Sequence, residues 1–440
     1  MNAIIVPGVT DLNKGDQALV WESWRLVKDT GLYDEVFILD AGDNDEEKAL
    51  LCKQSEEHGF KLLENILKHP RRGQHKSGQH IKESKLELLK QVKNAVLDFK
   101  NTRYLIKICN DLEKVKRDFD DKTFRTVKQF HNAKTIFVKG GGFIHAYGEI
   151  TAPYLMWYFL FYVRLAKALG KEVVFLPNSY GPFEGLTVKQ QVRSVFNQLD
   201  LVYARENASS KSLSELMGKS IPVEMDLGFF LEKGSQEEAL KILQKYNLTK
   251  EDKVVGVTIR PWRFPGLSNP EELYKKYIDS VVDLTRHMLS KGYKVALCNQ
   301  SLGPNSHEDD RNAIKDLLNK IQDPNIIWIN ENLPCDTLKA VYSNFYFFIG
   351  TRFHSIIFSL TSLVPSIAIG YGGNKAKGIM GDFRLDDYVV QIQDVNSDLL
   401  VKMFDKAIVE YDNIKSQLSK SMSLVTESRN RLIKDIQSLY

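Results

Sequence analysis

The sequence contains few cysteines, and they lie far apart. They are Cys52, Cys109, Cys298 and Cys335. No two of them form a Cys-x-x-Cys pair, so neither a zinc knuckle nor a disulfide framework organises this chain. We therefore expect four reduced thiols, as in a cytosolic protein.

Long apolar runs are also missing. The most apolar stretch, 154–169, carries Arg164 and Lys167 and falls short of the roughly 20 residues of a membrane-spanning helix. We predict a buried helix there. The chain starts with an apolar strand and lacks the basic region and long apolar core of a signal peptide. These features predict a cytoplasmic protein.

A strong net charge is absent as well. The chain has 60 Lys and Arg against 56 Asp and Glu, a formal net charge of +4, which as a whole does not indicate a nucleic-acid partner. With 440 residues and a hydrophobic content of 43%, the chain is too long for one core and apolar enough for two domains of ordinary size.

Apolar strands alternate with amphipathic helices in two successive series. A polar helical segment at 234–253 separates them, and a fresh strand begins at Val254. This alternation, without antiparallel signals, predicts an α/β protein with two Rossmann-like, doubly wound parallel sheets facing a cleft. We predict domains at 1–233 and 234–440. The last helical region, about 397–439, either packs outside or crosses back to the first domain.

Residues 44–131 interrupt the first series as a mostly helical insertion. From Lys61 to Phe130 there are 18 Lys and Arg against 9 Asp and Glu, an excess of nine positive charges. The insertion can be an electrostatic platform for a membrane surface or a diphosphate-bearing acceptor. It can equally be a solvated helical insertion with a flexible basic loop at 71–80. Aromatic residues are few there, which argues against a nucleic-acid groove.

The segment 349–375 has the pattern strand, turn, helix, strand. Arg352 and His354 lie where the first strand gives way to the helix, and Lys375 follows the second strand. In a parallel sheet both positions are at the carboxyl edge, where ligands bind. A guanidinium, an imidazole and an ammonium beside a helix N-terminus suit a small, multiply charged anion. Alternatively, Arg352 caps a carbonyl, His354 merely starts the helix and Lys375 is a solvated loop residue.

Other strand ends carry candidate ligand-binding groups. The turn after the first strand contains Asn13, Gly15 and Asp16, which can cap the following helix or offer side chains to a ligand. Three consecutive glycines, 140–142, follow another strand and can either approach a phosphate or allow tight packing. They match neither the dinucleotide fingerprint nor the P-loop.

Two further arginines follow strands in the same way. Arg205 ends a strand of the first series and Arg260 ends the first strand of the second. Each can bind an anionic ligand, and Arg205 can instead form a surface ion pair with Glu206.

Taken together, five motifs resemble those of the polysaccharide pyruvyl transferases. They are NKGDQA (13–18), KGGGFIH (139–145), YAREN (203–207), VTIRP (257–261) and GTRFHSIIFSLTSLVPSIAIGYGGNK (350–375). The resemblance runs in order from residue 8 to about 375 and is thinnest over 44–131. It implies a fold similar to that of the GT-B glycosyltransferases. It also implies transfer of the pyruvyl group of phosphoenolpyruvate onto a pair of sugar hydroxyls, forming a cyclic ketal on a surface polysaccharide or its lipid-linked precursor.

The chemistry of this donor agrees with the candidate residues. Phosphoenolpyruvate carries a carboxylate and a phosphate, so it needs two cationic clamps. We expect Arg352 and Lys375 to hold one end, and Arg205 or Arg260 the other. His354 is the expected general acid, because a histidine can gain and lose a proton near neutral pH.

The acceptor side involves the first domain. We expect Asp16 or Glu149 to act as base or to hold the acceptor. Asn13, Gly15 and the glycines Gly140, Gly141 and Gly142 would approach sugar or phosphate. We expect no metal and no cofactor besides the donor. The predicted partners are phosphoenolpyruvate and a sugar acceptor, which can be linked to a polyprenyl diphosphate, with peripheral contact to the inner membrane face through the basic insertion.

Two other classes of function are compatible with the same architecture. A GT-B glycosyltransferase would use a nucleotide sugar and needs an acidic ribose-binding residue; Asp382 and Asp386 lie near the right place. A non-catalytic carbohydrate-binding or phosphate-binding module would not need both Arg352 and His354. Fold alone does not decide between these classes.

Overall fold

A computed structural model describes residues 1–68, 85–303, 305–371 and 375–440, and for 85–89 and 375 it describes the backbone. The basic loop predicted at 71–80 therefore lies outside the described residues. The strands of the first sheet are β1 (Asn2–Val6), β2 (Glu35–Leu39), β3 (Lys61–Leu63), β4 (Thr135–Val138), β5 (Gly141–Tyr147), β6 (Glu172–Glu184) and β7 (Leu201–Ala204). Those of the second are β8 (Val254–Thr258), β9 (Lys294–Cys298), β10 (Ile326–Ile329), β11 (Phe347–Gly350), β12 (Ser366–Gly370) and β13 (Val389–Gln391).

Helices connect the strands on both faces of each sheet. In the first domain they are α1 (Lys14–Asp29), α2 (Asp45–Glu57), α3 (Lys85–Ile108), α4 (Leu112–Asp118), α5 (Asp121–Asn132), α6 (Ala152–Ala168), α7 (Val188–Phe196) and α8 (Asn207–Met217). After them come α9 (Gln236–Lys245), α10 (Pro270–Ser290), α11 (Asp310–Leu318), α12 (Cys335–Tyr342), α13 (Phe353–Leu360), α14 (Lys375–Asp382), α15 (Ser397–Val409) and α16 (Tyr411–Gln437). Short 3-10 turns occur at Leu227–Phe230 and Asp386–Tyr388.

Both sheets are parallel, which confirms the predicted fold class. The first has the order β3-β2-β1-β4-β6-β5, with β7 also pairing with β6, and the second has the order β10-β9-β8-β11-β12-β13. Strands β8, β11 and β12 are buried along their whole length, because helices cover both faces of a parallel sheet. This burial explains why their sequences are continuous apolar runs rather than alternating ones.

The predicted insertion at 44–131 begins too early. Helix α2 is the crossover from β2 to β3, and β3 pairs in parallel with β2, with Phe37 opposite Lys61. Residues 45–63 therefore form a regular helix-and-strand unit of the first domain, and the helical insertion starts after Leu63. The three-residue strand escaped prediction because it lies at the edge of the sheet and has only one fully buried side chain, Leu63.

The last helix returns to the first domain, which decides between the two placements predicted for it. Glu224 accepts hydrogen bonds from Ser428 Oγ at 2.6 Å and from Arg431 Nε at 2.8 Å. The two domains also share apolar contacts, and Phe229 stacks on Phe383 with ring centroids 5.5 Å apart. These contacts hold the carboxyl edges of the two sheets at a defined distance across the cleft.

The predicted buried helix at 154–169 is α6, in which Leu160, Phe161 and Ala166 are fully buried. Within the described residues, no helix combines the length and apolarity required to cross a membrane. The four cysteines are all buried with free thiols.

Candidate functional site

A cavity of about 360 Å³ lies between the carboxyl edges of the two sheets. The second domain supplies most of its wall, from the ends of β11 and β12 and the start of α13. The residues that line the cavity include Asn13, Arg205, Trp262, Arg352, His354 and Tyr371. The strand order brings Arg205, Arg352 and His354 to the same opening.

Arg352 stands at the N-cap position of α13 and is buried. Its Nε and Nη2 donate to Asp310 Oδ1 at 2.8 and 2.6 Å, and Nη2 also donates to the Glu308 carbonyl at 2.7 Å. Burial alone would lower the pKa of Arg352, but Asp310, Tyr371 and Glu308 together outweigh this effect and raise it. Arg352 thus bonds a carbonyl, as one alternative expected, and is also held rigidly at the cavity wall.

Arg260, at the end of β8, is a buried cation of a different kind. Its guanidinium lies 4.7 Å from the Trp262 ring centroid and 4.2 Å from that of Tyr371. Its Nε has no hydrogen-bond partner, and no carboxylate among the described residues forms an ion pair with it. Burial lowers its pKa, with a further lowering from Arg352 that Tyr371 and Asp310 oppose. The structure therefore leaves a positive charge next to the cavity without a matching negative one.

Arg205, at the end of β7, is fully matched. Its Nη1 lies 2.6 Å from Asp226 Oδ2, and its Nε donates to Ser179 Oγ at 2.7 Å. Its Nε also lies 3.4 Å from Glu206 Oε2, so the predicted ion pair with Glu206 is present as well. Burial acts to raise the pKa of Asp226, but Arg205, His354 and the Gly228 amide together hold it well below its usual range. Arg205 thus neutralises a buried carboxylate while its guanidinium stacks 5.2 Å above Phe353.

His354 reaches from the second domain into the first. Its Nε2 lies 3.4 Å from Asp226 Oδ1, an ion-pair distance without hydrogen-bond geometry. The ring fits between two glycines. A Cβ on Gly15 would lie 2.1 Å from Nδ1, and a Cβ on Gly228 would lie 2.8 Å from Cδ2. Both positions must therefore be glycine if the imidazole is to keep this place.

Asn13 and Asp16 lie at the start of α1, on the first-domain side of the cavity. The Asn13 side chain caps the helix by accepting from the Gly15 amide at 3.1 Å. Asp16 is partly exposed and lies 3.8 Å from the Nζ of Lys139, a buried lysine at the end of β4. Burial lowers the pKa of Lys139, and Asp16 opposes this effect. Sequence reasoning missed Lys139, although a lysine directly after a buried strand was the available signal.

Glu308 was also missed. It lies in the loop before α11, and Asn305 Nδ2 donates to its Oε2 at 3.1 Å. Burial raises its pKa, Asp16 adds to this effect, and Arg352 and Arg260 oppose it. Glu308 is therefore within electrostatic range of groups from both domains. The sequence offered little to find it, because it stands in an irregular polar loop among several acidic residues.

Some predicted residues lie beside the cavity rather than in its described lining. Gly140 packs tightly, since a Cβ there would meet Pro177 O at 3.1 Å and Leu19 Cδ2 at 3.3 Å. These contacts favour the packing alternative at Gly140. Glu149 is exposed in the loop after β5, where its Oε2 accepts from the Tyr147 amide at 3.0 Å. The side chain of Lys375 lies outside the described residues. Among those described, no three His, Cys, Asp or Glu side chains are arranged to hold a metal ion.

Solved structures with this architecture include glycosyltransferases and UDP-GlcNAc 2-epimerases. A glycosyltransferase from Rickettsia africae matches with a TM-score of 0.53 and 14% identity, covering 100% of this chain and 97% of that one. A UDP-GlcNAc 2-epimerase from Neisseria meningitidis matches with a TM-score of 0.53 and 13% identity, covering 98% and 100%. UGT73P12 from Glycyrrhiza uralensis matches with a TM-score of 0.55 and 10% identity, covering 100% and 97%. At these identities the likeness shows the fold alone, which is that of the GT-B class.

The family follows from the sequence comparison. The family model for polysaccharide pyruvyl transferases matches residues 13–373, and the chain belongs to this family. The amylovoran biosynthesis protein AmsJ of Erwinia amylovora is 22% identical over 329 residues, covering 73% of this chain and 74% of AmsJ. The resemblance identified from the motifs is thereby confirmed.

Proposed function

We propose that this protein transfers the pyruvyl group of phosphoenolpyruvate onto a pair of sugar hydroxyls and forms a pyruvate ketal. The observation that carries this proposal is the unmatched Arg260 beside Arg352 at a small cavity that His354 also lines. Arg205 pairs with Asp226 and Glu206, and Arg352 pairs with Asp310. Arg260 forms no ion pair among the described residues, although Glu308 and Asp310 lie within electrostatic range of it. A small anion would give Arg260 the direct partner that it lacks, because a buried charge is costly unless it is paired.

The cavity size supports a small donor. At about 360 Å³, it lies at the lower end of the roughly 300–1,000 Å³ typical of small-molecule sites. Arg260 and Arg352 would bind the carboxylate and the phosphate of phosphoenolpyruvate, with Trp262 and Tyr371 holding Arg260 in position. The Nη1 of Arg352 takes no part in its hydrogen bonds to Asp310 and Glu308, which suits a further contact to an anion.

His354 would deliver the proton that starts the reaction. Asp226 faces Nε2 and would stabilise the protonated ring, so the other ring nitrogen, Nδ1, would protonate the methylene carbon of the donor. The central carbon then becomes an electrophile that one sugar hydroxyl attacks. Loss of phosphate and attack by the second hydroxyl close the ketal. Of the two hydroxyl protons, one balances the proton that the methylene carbon gained and the other leaves with phosphate.

The first domain would present the acceptor. Asp16 is the candidate base, because it is partly exposed at the cleft and Lys139 stabilises its charge. Glu149, which accepts from the amide of the lining residue Tyr147, is the alternative base. The reaction as proposed needs neither a metal ion nor a cofactor beyond the donor. The acceptor would be a polysaccharide unit or its lipid-linked precursor, in line with the family.

A thermal-shift titration tests the donor. Because a ligand that binds only the folded state raises the melting temperature, phosphoenolpyruvate should raise it in a saturable way. UDP-, GDP- and CMP-sugars should leave it unchanged. A shift with a nucleotide sugar and none with phosphoenolpyruvate would instead assign the protein to the glycosyltransferases. The acidic residues that this alternative needs, Asp382 and Asp386, lie outside the described lining of the cavity.

A further inference from the structure

The solvent face of helix α3 combines apolar and basic side chains. Its exposed apolar residues are Val92 (50%), Val96 (62%) and Leu97 (46%), whereas Phe99 (38%) packs its ring on Trp157 of α6, with ring centroids 4.7 Å apart. Its exposed basic residues are Lys90, Lys93, Lys100, Arg103 and Lys107. Among the side chains described from 90 to 108 there is a single acidic one, Asp98, and it lies on the packed side of the helix. We call this surface the α3 face.

The helical spacing makes the α3 face continuous. Val92, Val96 and Arg103 are spaced four and seven residues apart, so they form a single stripe along the helix, and Phe99 lies at its edge against Trp157. Lys93, Lys100 and Lys107 repeat every seven residues along its flank. An apolar stripe bordered by lysines is typical of a helix that lies in the interface of a bilayer.

The packing of α3 fixes where this face lies. Tyr154 Oη donates to Asp98 Oδ2 at 3.3 Å, and Trp157 Nε1 donates to Thr102 Oγ1 at 3.0 Å. Farther along, Asn110 Nδ2 donates to the Ala168 carbonyl at 3.0 Å. Both helices thus run in the same direction, and the start of α3 lies beyond the start of α6. At about 1.5 Å per residue, Val92 is roughly 9 Å farther out than Asp98.

That direction leads to the mouth of the cleft. Helix α6 begins just after β5, at the carboxyl edge of the first sheet, which is the edge that bears the cavity. Tyr147, at the end of β5, lines the cavity and is 62% exposed, and Ile150 in the following loop is 100% exposed. Leu186, 83% exposed, lies in an adjacent loop, because a Cβ on Gly185 would lie 3.2 Å from Ala152 Cβ and 3.7 Å from Gly148 Cα. The apolar residues therefore form a rim beside the cleft.

We propose that the α3 face, together with the rim at Tyr147, Ile150 and Leu186, docks the protein onto an anionic membrane surface with the cleft opening toward the lipid. The positive charges complement anionic headgroups, and the apolar side chains would enter the region just beneath them. This orientation brings a lipid-linked sugar to the cleft without leaving the membrane. The proposal does not depend on which donor the cavity binds.

Flotation of the full-length protein with vesicles tests the docking. We expect binding to phosphatidylcholine vesicles that contain phosphatidylglycerol, weaker binding at high salt because salt screens exposed charges, and little binding to pure phosphatidylcholine. The double variant Lys93→Gln, Lys100→Gln should bind about 25-fold more weakly, since each basic residue near an anionic surface contributes about fivefold. Lys402→Gln with Lys420→Gln, which removes two exposed lysines from α15 and α16, is the matched control and should bind like the wild type.

The apolar part has a separate test. Val92→Ser with Val96→Ser should keep the salt-sensitive binding and lose the part that persists at high salt. No flotation of the wild type, or equal losses in the lysine variant and its control, would overturn the proposal. Analytical ultracentrifugation tests whether the α3 face instead binds a second copy of the chain. If the wild type is a dimer, the valine variant is a monomer and vesicle binding is unchanged, the membrane assignment is wrong.

Discussion

The carboxyl edges of the two sheets both present arginines to the cleft, but the edges differ in whether each arginine has a carboxylate partner. On the first-domain edge, Arg205 is neutralised by Asp226 at 2.6 Å. On the second-domain edge, Arg352 has Asp310 at 2.6 Å, whereas the neighbouring Arg260 has two aromatic rings and no ion-pair partner among the described residues. The first edge pairs its arginine within the protein, whereas the second leaves Arg260 without an ion-pair partner among the described residues.

This difference separates two tasks. A balanced ion pair fixes geometry, and here it fixes Asp226 behind His354. An unbalanced buried cation costs free energy in the empty protein and regains it when an anion binds. We infer that the first domain positions the proton donor and that the second domain binds the charged substrate. The following predictions test this division, from the largest expected effect to the smallest.

The largest effect is expected for His354→Gln. Glutamine keeps a polar side chain of similar size but cannot deliver a proton, so turnover should fall by about 10²- to 10⁴-fold, the usual contribution of a general acid. Affinity for phosphoenolpyruvate should stay within a few fold. Phosphate release with a panel of glycan acceptors measures turnover, and the thermal-shift titration measures the affinity for phosphoenolpyruvate.

The control for this variant is His287→Gln. His287 forms a comparable pair with Asp405 at 2.7 Å, on helix α10, so it tests the loss of a histidine and carboxylate pair as such. If both variants retain normal turnover, His354 is not the proton donor and the first edge has another role.

Arg205→Met should produce the largest loss of stability. It leaves Asp226 buried without its charge partner, and breaking a buried ion pair in this way costs about 3–5 kcal/mol. Arg260→Met loses buried cation–π contacts, each worth about 2 kcal/mol, but it also relieves the burial of an unpaired charge, so it should destabilise the protein less than Arg205→Met does. Urea denaturation of both variants gives the comparison. Equal losses would show that the two edges do not differ in charge balance.

The pH dependence of the Arg205→Met variant follows from the same pair. In the wild type the pKa of Asp226 is held below its unfolded value, so its contribution to stability is present at neutral pH and is lost only as the pH falls through the folded pKa. In the variant, burial would raise the folded pKa above the unfolded one, and that contribution changes sign. The gap in unfolding free energy between wild type and variant should therefore be smaller at about pH 5 than at about pH 8.

Gly15→Ala should displace the His354 side chain, which reaches from the second domain to the start of α1 in the first. The added Cβ would lie 2.1 Å from His354 Nδ1, so the imidazole has to move. A displacement of about 1 Å at a reacting group can cost about 10²-fold in rate, and we expect a loss of turnover of that size with donor affinity unchanged. Gly378→Ala is the control, because a Cβ there meets open space in helix α14 and should leave turnover as in the wild type.

Arg260→Met should weaken the binding of phosphoenolpyruvate by about tenfold or more, since a charge-assisted hydrogen bond contributes about 1.5–3 kcal/mol. Arg260→Met is a better test of donor binding than Arg352→Met, because Arg352→Met would leave the buried Asp310 without its ion-pair partner and so destabilise the protein. Arg286→Met, at an exposed arginine of α10 paired with Asp283, is the control. If Arg260→Met binds phosphoenolpyruvate as tightly as the wild type, the carboxyl edge of the second sheet is not the donor site.

Several features of the site were accessible from sequence. Apolar runs and helical periodicity located the strands, and the rule that parallel strands present their carboxyl ends at one edge brought Arg205, Arg352 and His354 together. The strand β3 and the true start of the insertion were not accessible, because a three-residue edge strand carries too little periodicity. The sequence does not determine whether α16 crosses back to the first domain, because the apolar stripe of a helix does not show which surface the helix covers.

The sequence by itself thus determined the fold class, the family and the strand ends from which the candidate residues project. Only the tertiary structure decided which charges are matched. Asp226 and Asp310 meet Arg205 and Arg352 across separate elements, and His354 fits between Gly15 and Gly228 of the other domain. Distances of this kind depend on how whole elements pack. Local patterns of polarity record which face of an element is buried, but not which side chain of another element lies opposite it.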